Sequence, residues 1–202
     1  MAVKLYEFST SRSARVRWVL TELDIAFEGL TGPEAFQSEE FRNVSPLGKI
    51  PAIMDDGRPL FESAAICNWL ADSNADKGLS FPSGTWERAL HDQWVSFMLT
   101  EIEAHLWSTF RNKARYKEGY QVLEIEAQNT FEAKKSLKVV NAHLEENDYF
   151  VAGKFSVTDI IAAYTLNWAE KQGVLGDDYP NITAYLDRVC ERPHCTLKRS
   201  KK

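Results

Sequence analysis

The sequence predicts an α/β domain followed by an all-α domain, and two observations support this prediction. Strand-like runs alternate with amphipathic helical segments up to about residue 72, whereas only helical periods occur after residue 84. The residues between are rich in Ser, Asn, Asp, Gly and Pro, which is typical of a linker. We therefore expect an N-terminal domain over 1–74, a linker over 75–84 and a helical domain over 85–202.

The elements of the first domain follow from local periodicity. The pattern predicts, in chain order, a strand over 3–8, a helix over 14–23, a strand over 26–30, a short helix over 34–41, strands over 51–54 and 59–61, and a helix from Ser63. The opening β-α-β unit favours a parallel pair, and the Asp56-Gly57 turn favours an antiparallel hairpin. The sheet should therefore be mixed and four-stranded.

The second domain is predicted to be helical throughout. Helical periods cover 86–111, 120–145, 157–171 and 182–191. The third of these begins with the sequence SVTD at 156–159, a variant of the capping box with Asp where Glu or Gln is commoner. We expect Ser156 and Asp159 to be structural.

Composition and charge exclude several functions. A net charge of −5 leaves no broad positive surface for nucleic acid or anionic lipid. The basic residues at 198–202 are typical of a solvated chain end. No apolar run is long enough to span a bilayer, so we expect a cytoplasmic protein with no membrane partner. The 3 cysteines and 4 histidines lack metal-ligand spacing, so we expect no metal.

The segment SPLGKIP at 45–51, together with Glu62 and Ser63, predicts a binding site for a charged, peptide-like thiol. A proline that begins a strand lacks a backbone donor, so Ile50 before Pro51 can present its backbone to a bound peptide. Lys49 supplies a cation, whereas Glu62 and Ser63 supply an anion and a hydroxyl at a helix N-terminus. Glu62 and Ser63 also suit an ordinary helix-dipole charge and N-cap.

Four motifs, in order along the chain, resemble those of the soluble glutathione transferase family. They are SPLGKIP at 45–51, the Glu62-Ser63 pair, GKFSVTD at 153–159 and YPNITAY at 179–185. Ser45 stands where the family usually has Asn, and Thr158 where it has Ala. The chain is identified as similar to serine-type, bacterial-like members, whose first domain is thioredoxin-like.

The resemblance implies that glutathione binds along the strand that Pro51 begins. Lys49 would approach the glycyl carboxylate, and the Ile50 backbone would pair with the cysteinyl unit. Glu62 and Ser63 would hold the γ-glutamyl end. The resemblance also implies a two-fold homodimer.

The group that activates the thiol should lie in the loop after the first strand. A thiolate is the nucleophile, so catalysis needs a hydrogen-bond donor aimed at sulfur. The resemblance favours Ser11, while Ser9 and Ser13 remain alternatives that also suit helix capping. The loop holds no cysteine that could form a mixed disulfide. Tyr6 lies within the strand, and we expect it in the core.

The electrophile would bind against the first long helix of the second domain. The candidate residues are Trp107, Phe110, Arg111, Tyr164 and Trp168. Aromatic residues at helical spacing also suit an ordinary core, and Arg111 also suits a solvated surface.

These residues lead to three functional hypotheses. The first is a glutathione S-transferase that conjugates the glutathione thiolate to small electrophilic, largely apolar substrates, as in detoxification. The second is another glutathione-dependent reaction, such as isomerisation, dehalogenation or peroxide reduction. The third is a non-catalytic adaptor that uses the same fold for protein contact.

Overall fold

A computed structural model describes residues 3–122 and 124–199 of the chain. These residues form two compact units, one over 3–85 with 194–196 and the other over 86–193 with 197–199. The first unit combines strands and helices, and the second is mostly helical. The fold class predicted from the sequence is confirmed.

Within the described residues, the first unit is built on a four-stranded sheet. Its strands are Val3–Tyr6 (β1), Phe27–Leu30 (β2), Ala52–Asp55 (β3) and Arg58–Phe61 (β4), in the spatial order β2-β1-β3-β4. β1 is parallel to β2 and antiparallel to β3, and β3 is antiparallel to β4. The sheet is therefore mixed, as predicted, with the strand order of a thioredoxin-like domain.

The helices of the first unit are Ser13–Glu22 (α1), Gly32–Gln37 (α2), Glu39–Val44 (α3) and Ser63–Asp72 (α4). A 3₁₀ turn follows at Ala75–Lys77. The single helix predicted over 34–41 is wrong, because Ser38 is extended and its hydroxyl accepts the N–H of Phe41 at 3.0 Å. Ser38 thus begins a second helix.

The helices of the second unit are Trp86–Phe97 (α5), Ala104–Ala114 (α6), Ile125–Glu146 (α7), Val157–Lys171 (α8) and Pro180–Cys190 (α9). A π-helical segment, Met98–Glu103, joins α5 to α6. The predicted start of α7 at 120 is wrong, because the Asn112 side chain holds Val122 in a loop. Asn112 accepts the N–H of Val122 at 2.8 Å and donates to its C=O at 2.9 Å.

The N-terminus of α8 carries the predicted capping box. Asp159 is fully buried, and its carboxylate accepts the N–H of Ser156 at 2.9 Å and of Phe150 at 3.1 Å. The hydroxyl of Tyr185 donates to the same carboxylate at 3.2 Å. Burial raises the pKa of Asp159 to about 6. The structural role predicted for Ser156 and Asp159 is confirmed.

The basic end of the chain is only partly described, since Ser200, Lys201 and Lys202 lie outside the described residues. The prediction of a solvated end is wrong for Arg199. Its guanidinium forms ion pairs with Glu170 and Asp187, each at 2.7 Å. In the part of the chain that the structure describes, no helix has the length and apolar character needed to cross a membrane.

Candidate active site

Three of the predicted site segments lie at one edge of the sheet because of the strand register. Tyr6, at the end of β1, is paired with Ala52, at the start of β3, and Ala52 is paired with Phe61, at the end of β4. The loop after β1, the Ile50-Pro51 bond and the start of α4 therefore leave the sheet side by side. We call this edge, defined by the ends of β1, β3 and β4, the shared edge.

The segment that leads into β3 is a turn closed by Ser45. The Ser45 hydroxyl accepts the N–H of Lys49 at 2.9 Å and donates to the C=O of Lys49 at 2.7 Å. Gly48 within the turn has a φ of 60°, which residues with a Cβ adopt rarely and glycine adopts readily. The Ile50-Pro51 bond that follows is cis, and the Lys49 side chain is exposed. This structural role of Ser45 was missed, although a serine that begins a Pro-Gly turn is a signal for it.

Glu62, between β4 and α4, has an unusual backbone conformation. Its φ of 72° and ψ of 114° lie where residues with a Cβ are rarely found. Glu62 occupies the N-cap position of α4, but its exposed side chain makes no capping hydrogen bond. The carboxylate therefore stands at the start of a helix without neutralising its N–H groups.

Ser63 is the first helical residue of α4, so the alternative role of an ordinary N-cap does not apply to it. Its hydroxyl is buried and accepts a hydrogen bond from Arg15 Nη1 at 3.2 Å. The hydroxyl hydrogen of Ser63 remains available to a second acceptor. Because no side chain caps α4, its N-terminal N–H groups favour an anion at this end of the helix.

The contact of Arg15 with Ser63 was not predicted from the sequence. It lies on α1, is 1% exposed, and links that helix to Ser63 on α4. The signal was present in the sequence, since Arg15 precedes the buried Trp18 and Val19 by three and four residues. A cation on the apolar face of a helix needs a buried partner.

Ser13 holds the loop after β1 in place. Its fully buried hydroxyl accepts the N–H of Phe8 at 2.9 Å and lies 2.9 Å from the C=O of Phe8. Ser13 also begins α1. Ser13 is therefore not the N-cap of α1, a position held by Arg12, and its hydroxyl fixes the loop through Phe8 instead.

Ser11 lies half-buried beside Ser13. Its hydroxyl accepts the N–H of Ser13 at 3.2 Å and lies within hydrogen-bond distance of both Ser13 Oγ and the C=O of Phe8. Because Ser13 can donate its hydrogen to Ser11 Oγ, the Ser11 hydrogen can turn to another acceptor. Ser9 is exposed, and its hydroxyl has no hydrogen-bond partner among the residues described.

Two other reactive groups of this unit are buried. Tyr6 is 2% exposed, which confirms its place in the core, and its hydroxyl interacts with the Glu40 carboxylate. Burial and Glu40 raise the pKa of Tyr6 to about 12. Burial likewise raises the pKa of Cys67, on α4, to about 12, so its thiolate is not accessible near neutral pH.

The predicted electrophile residues lie in the second unit, where four of the five contact one another. The rings of Trp107 and Phe110 stack with centroids 5.5 Å apart, and Trp168 lies 6.4 Å from Phe110. The Arg111 guanidinium lies over Trp107 at 5.7 Å. These four side chains are half-buried, so the rings are neither a closed core nor fully solvated. Tyr164 lies one turn before Trp168 on α8, also half-buried.

The described residues were compared with the requirements of a metal site. Over 3–122 and 124–199, no group of three or more His, Cys, Asp or Glu side chains could hold a metal ion. The chemistry of the shared edge is instead that of hydrogen-bond donors and single charges: Ser11, Lys49, Glu62 and Ser63.

Comparison with known proteins assigns the family. Residues 5–78 match the model of the glutathione S-transferase N-terminal domain, and residues 92–193 match that of the glutathione S-transferase C-terminal domain. The chain therefore belongs to the glutathione S-transferase family, as its four motifs predicted.

Two kinds of curated relative match the chain. Glutathione S-transferase GstA of Escherichia coli O157:H7 is 27% identical over 195 residues, which are 95% of this chain and 90% of the relative. Elongation factor 1-gamma of Carassius auratus is 31% identical over 192 residues, which are 92% of this chain but 41% of the relative. The chain thus corresponds to less than half of such an elongation factor.

Solved structures give the same family. A glutathione transferase from Methylococcus capsulatus has a TM-score of 0.84 at 28% identity, with 96% of this chain and 95% of that chain covered. A sphingomonad glutathione S-transferase, solved in complex with glutathione, has a TM-score of 0.81 at 26% identity, with 95% and 94% covered.

Proposed function

We propose that this protein is a glutathione S-transferase that conjugates the glutathione thiolate to small electrophilic, largely apolar substrates. The observation that carries the proposal is the shared edge, where the serine loop, Ile50-Pro51 and the N-terminus of α4 leave the sheet together. The relative solved with glutathione supports the same ligand. In this proposal residues 1–74 bind glutathione, 75–84 are a linker and 85–202 bind the electrophile.

The groups at the shared edge complement glutathione from end to end. Ser63 and the N–H groups of α4 would bind the γ-glutamyl carboxylate, and Glu62 would pair with the adjacent ammonium. The backbone of Ile50 would pair with the cysteinyl unit. Lys49 would meet the glycyl carboxylate. Arg15 fixes the Ser63 hydroxyl for this contact.

Ser11 would activate the thiol. Its redirected hydroxyl hydrogen would donate to the sulfur and stabilise the thiolate, while Ser13 holds the loop. The thiol proton passes to solvent. The thiolate then forms the carbon–sulfur bond as the leaving group departs with its bonding electron pair.

Conjugation of glutathione with a generic aryl halide tests this assignment. Ser11→Ala should lower kcat/KM about a hundredfold, the usual effect of removing one stabilising donor, and should leave the protein folded. Ser13→Ala should instead lower the free energy of unfolding by about 1–2 kcal/mol, because Phe8 loses its partner. An unchanged rate in Ser11→Ala would remove the role from Ser11, and a comparable loss in Ser9→Ala would transfer it to Ser9.

A second candidate function is a non-catalytic adaptor, which the elongation factor 1-gamma relatives favour. Calorimetric titration with glutathione separates the two, because an adaptor has no need of the charged groups at the shared edge. Binding at millimolar glutathione or below supports the transferase, and its absence supports the adaptor. If glutathione binds but no electrophile is conjugated, isomerase, dehalogenase and peroxidase reactions are tested next. By analogy with the family, we also propose a cytoplasmic homodimer.

A further inference from the structure

Near the C-terminal end of α6, two arginine side chains lie over aromatic rings. Arg111 lies 5.7 Å from the ring of Trp107 and 5.8 Å from that of Tyr116, and Arg115 lies 5.8 Å from the ring of Phe110. These distances are typical of cation–π contacts. We call these five residues the arginine–aromatic cluster.

Neither arginine of the cluster is neutralised by a residue that the structure describes. Within 3–122 and 124–199, the guanidinium groups of Arg111 and Arg115 form no ion pair and donate no hydrogen bond. Arg111 Nε is buried as well. Lys113, between them in sequence, is paired with Glu126 at 2.6 Å. Arg111 is half-buried and Arg115 is exposed, so the guanidinium groups are open to a ligand, and a bound anion would provide the partner that the buried Nε of Arg111 lacks.

The cluster is held in a fixed arrangement before any ligand arrives. The C=O of Arg111 accepts the N–H of Arg115 at 2.9 Å and of Tyr116 at 3.0 Å, which fixes the turn after α6. Asn112 binds both backbone groups of Val122 and so anchors the far end of this loop. Tyr116 is thereby kept beside Arg111, and little ordering entropy remains to be lost on binding.

The aromatic rings beside the two arginines indicate the apolar part of the ligand. Trp107 and Phe110 are nearly parallel, at 16°, and Trp168 stands at 70° to Phe110. All three are half-buried, so part of their apolar surface can stack on a flat ring. A planar guanidinium matches the two oxygens of a carboxylate.

We propose that the arginine–aromatic cluster binds aromatic carboxylates, with the ligand ring on the aromatic side chains and the carboxylate on Arg111, assisted by Arg115. Their use as electrophiles rests on the proposed transferase function, whereas the binding itself does not. With a chloronitrobenzoate, the glutathione sulfur would bond to the ring carbon that carries chlorine. The carbon–chlorine bond would break, chloride would leave with the bonding pair, and the thiol proton would pass to solvent.

Binding is measured by calorimetry on the full chain without glutathione, with a chloronitrobenzoate and the matching chloronitrobenzamide. The wild type should bind the benzoate at least tenfold more tightly than the benzamide, and Arg111→Met should remove most of that preference. Arg111→Lys should lose part of it, because the charge at the helix end is kept but the planar fork is not. Lys113→Met, which removes a paired charge from the same helix, should leave the preference unchanged.

Equal affinity for the two compounds in the wild type, or an unchanged preference in a folded Arg111→Met, would overturn the proposal. So would an equal loss in Lys113→Met, because that result would indicate only net charge. Conjugation with glutathione separates this site from the transferase proposal. Arg111-dependent binding without any conjugation retains the site and removes the function. Ser11-dependent conjugation with no preference for the carboxylate retains the function and removes the site.

Discussion

The helices α8 and α4 begin in opposite ways. The N-terminus of α8 is closed by its own side chains, since the buried Asp159 accepts hydrogen bonds from Ser156, Phe150 and Tyr185. The N-terminus of α4 has no capping side chain, and its N-cap residue, Glu62, has a positive φ. One terminus has its polar groups satisfied within the fold, whereas the other leaves them to an external partner.

This contrast separates a structural motif from a binding motif of similar sequence. Both termini carry Ser and an acidic residue, which suit capping and dipole interactions equally well. Burial distinguishes them, because Asp159 is fully enclosed and Glu62 is exposed. Changes at α8 should therefore alter stability, and changes at α4 should alter ligand affinity.

The largest expected effect is on stability at α8. Asp159→Ala removes a carboxylate that accepts several buried hydrogen bonds, so the free energy of unfolding should fall by about 3 kcal/mol. Thermal unfolding should shift down by roughly 10 °C. Asp148→Ala is the matched control, because Asp148 forms an exposed pair with Arg188 and should cost less than about 1 kcal/mol. Equal shifts would contradict the structural role of the capping box.

The second effect is on affinity at α4. Glu62→Gly removes the proposed partner of the glutathione ammonium, so affinity measured by calorimetry should fall about tenfold or more. The same change relieves a φ of 72°, so the free energy of unfolding should rise by up to about 1 kcal/mol.

Asp56→Gly is the control for that variant. Asp56 also has a positive φ, 48°, but lies in the turn between β3 and β4. Asp56→Gly should raise the free energy of unfolding and leave the affinity for glutathione unchanged. Unchanged glutathione affinity in Glu62→Gly would contradict the binding role assigned to the N-terminus of α4.

The third effect is a pH dependence at α8. Burial raises the pKa of Asp159 from 3.8 to about 6, so between these values the folded protein holds a proton that the unfolded chain has released. This contribution to stability is complete below pH 3.8 and is lost as the pH rises through about 6. Relative to Asp159→Asn, the wild type should therefore gain on the order of 2 kcal/mol between neutral pH and pH 4. If the free energies of unfolding of the two proteins changed equally with pH, the raised pKa of Asp159 would be contradicted.

Much of this fold was predictable, because local chemistry and tertiary structure agree. The Asp56-Gly57 turn gave the β3–β4 hairpin, and Ser156 with Asp159 gave the start of α8. The prediction of one helix over 34–41 was wrong because the Ser38 hydroxyl favours a new start. The start of α7 depends on Asn112, whose side chain binds the backbone of Val122 10 residues later. Hydrophobic periodicity does not predict a loop that is held by such a contact.

The candidate site was predictable as a set of residues and not as an arrangement. Lys49, Glu62 and Ser63 stand out by charge and motif. Their assembly depends on the pairing of Tyr6, Ala52 and Phe61, which no local pattern encodes. The positive φ of Glu62 was likewise invisible, because Glu has no preference for it. Whether Ser11, Ser9 or Ser13 activates the thiol stays a prediction, although the hydrogen bonds of Ser13 already assign it a structural role.

The π-helical segment Met98–Glu103 controls the direction in which α6 presents its side chains. A π turn holds one residue more than an α turn, and each residue of an α-helix rotates the side-chain direction by about 100°. Conversion of the segment to a regular α-helix without removing a residue would turn the face that carries Arg111 by about 100°, whereas deletion of one residue there would restore a regular helix and leave that face on its present bearing. The segment thus holds one additional residue and sets the angular phase between two halves of a single long helix.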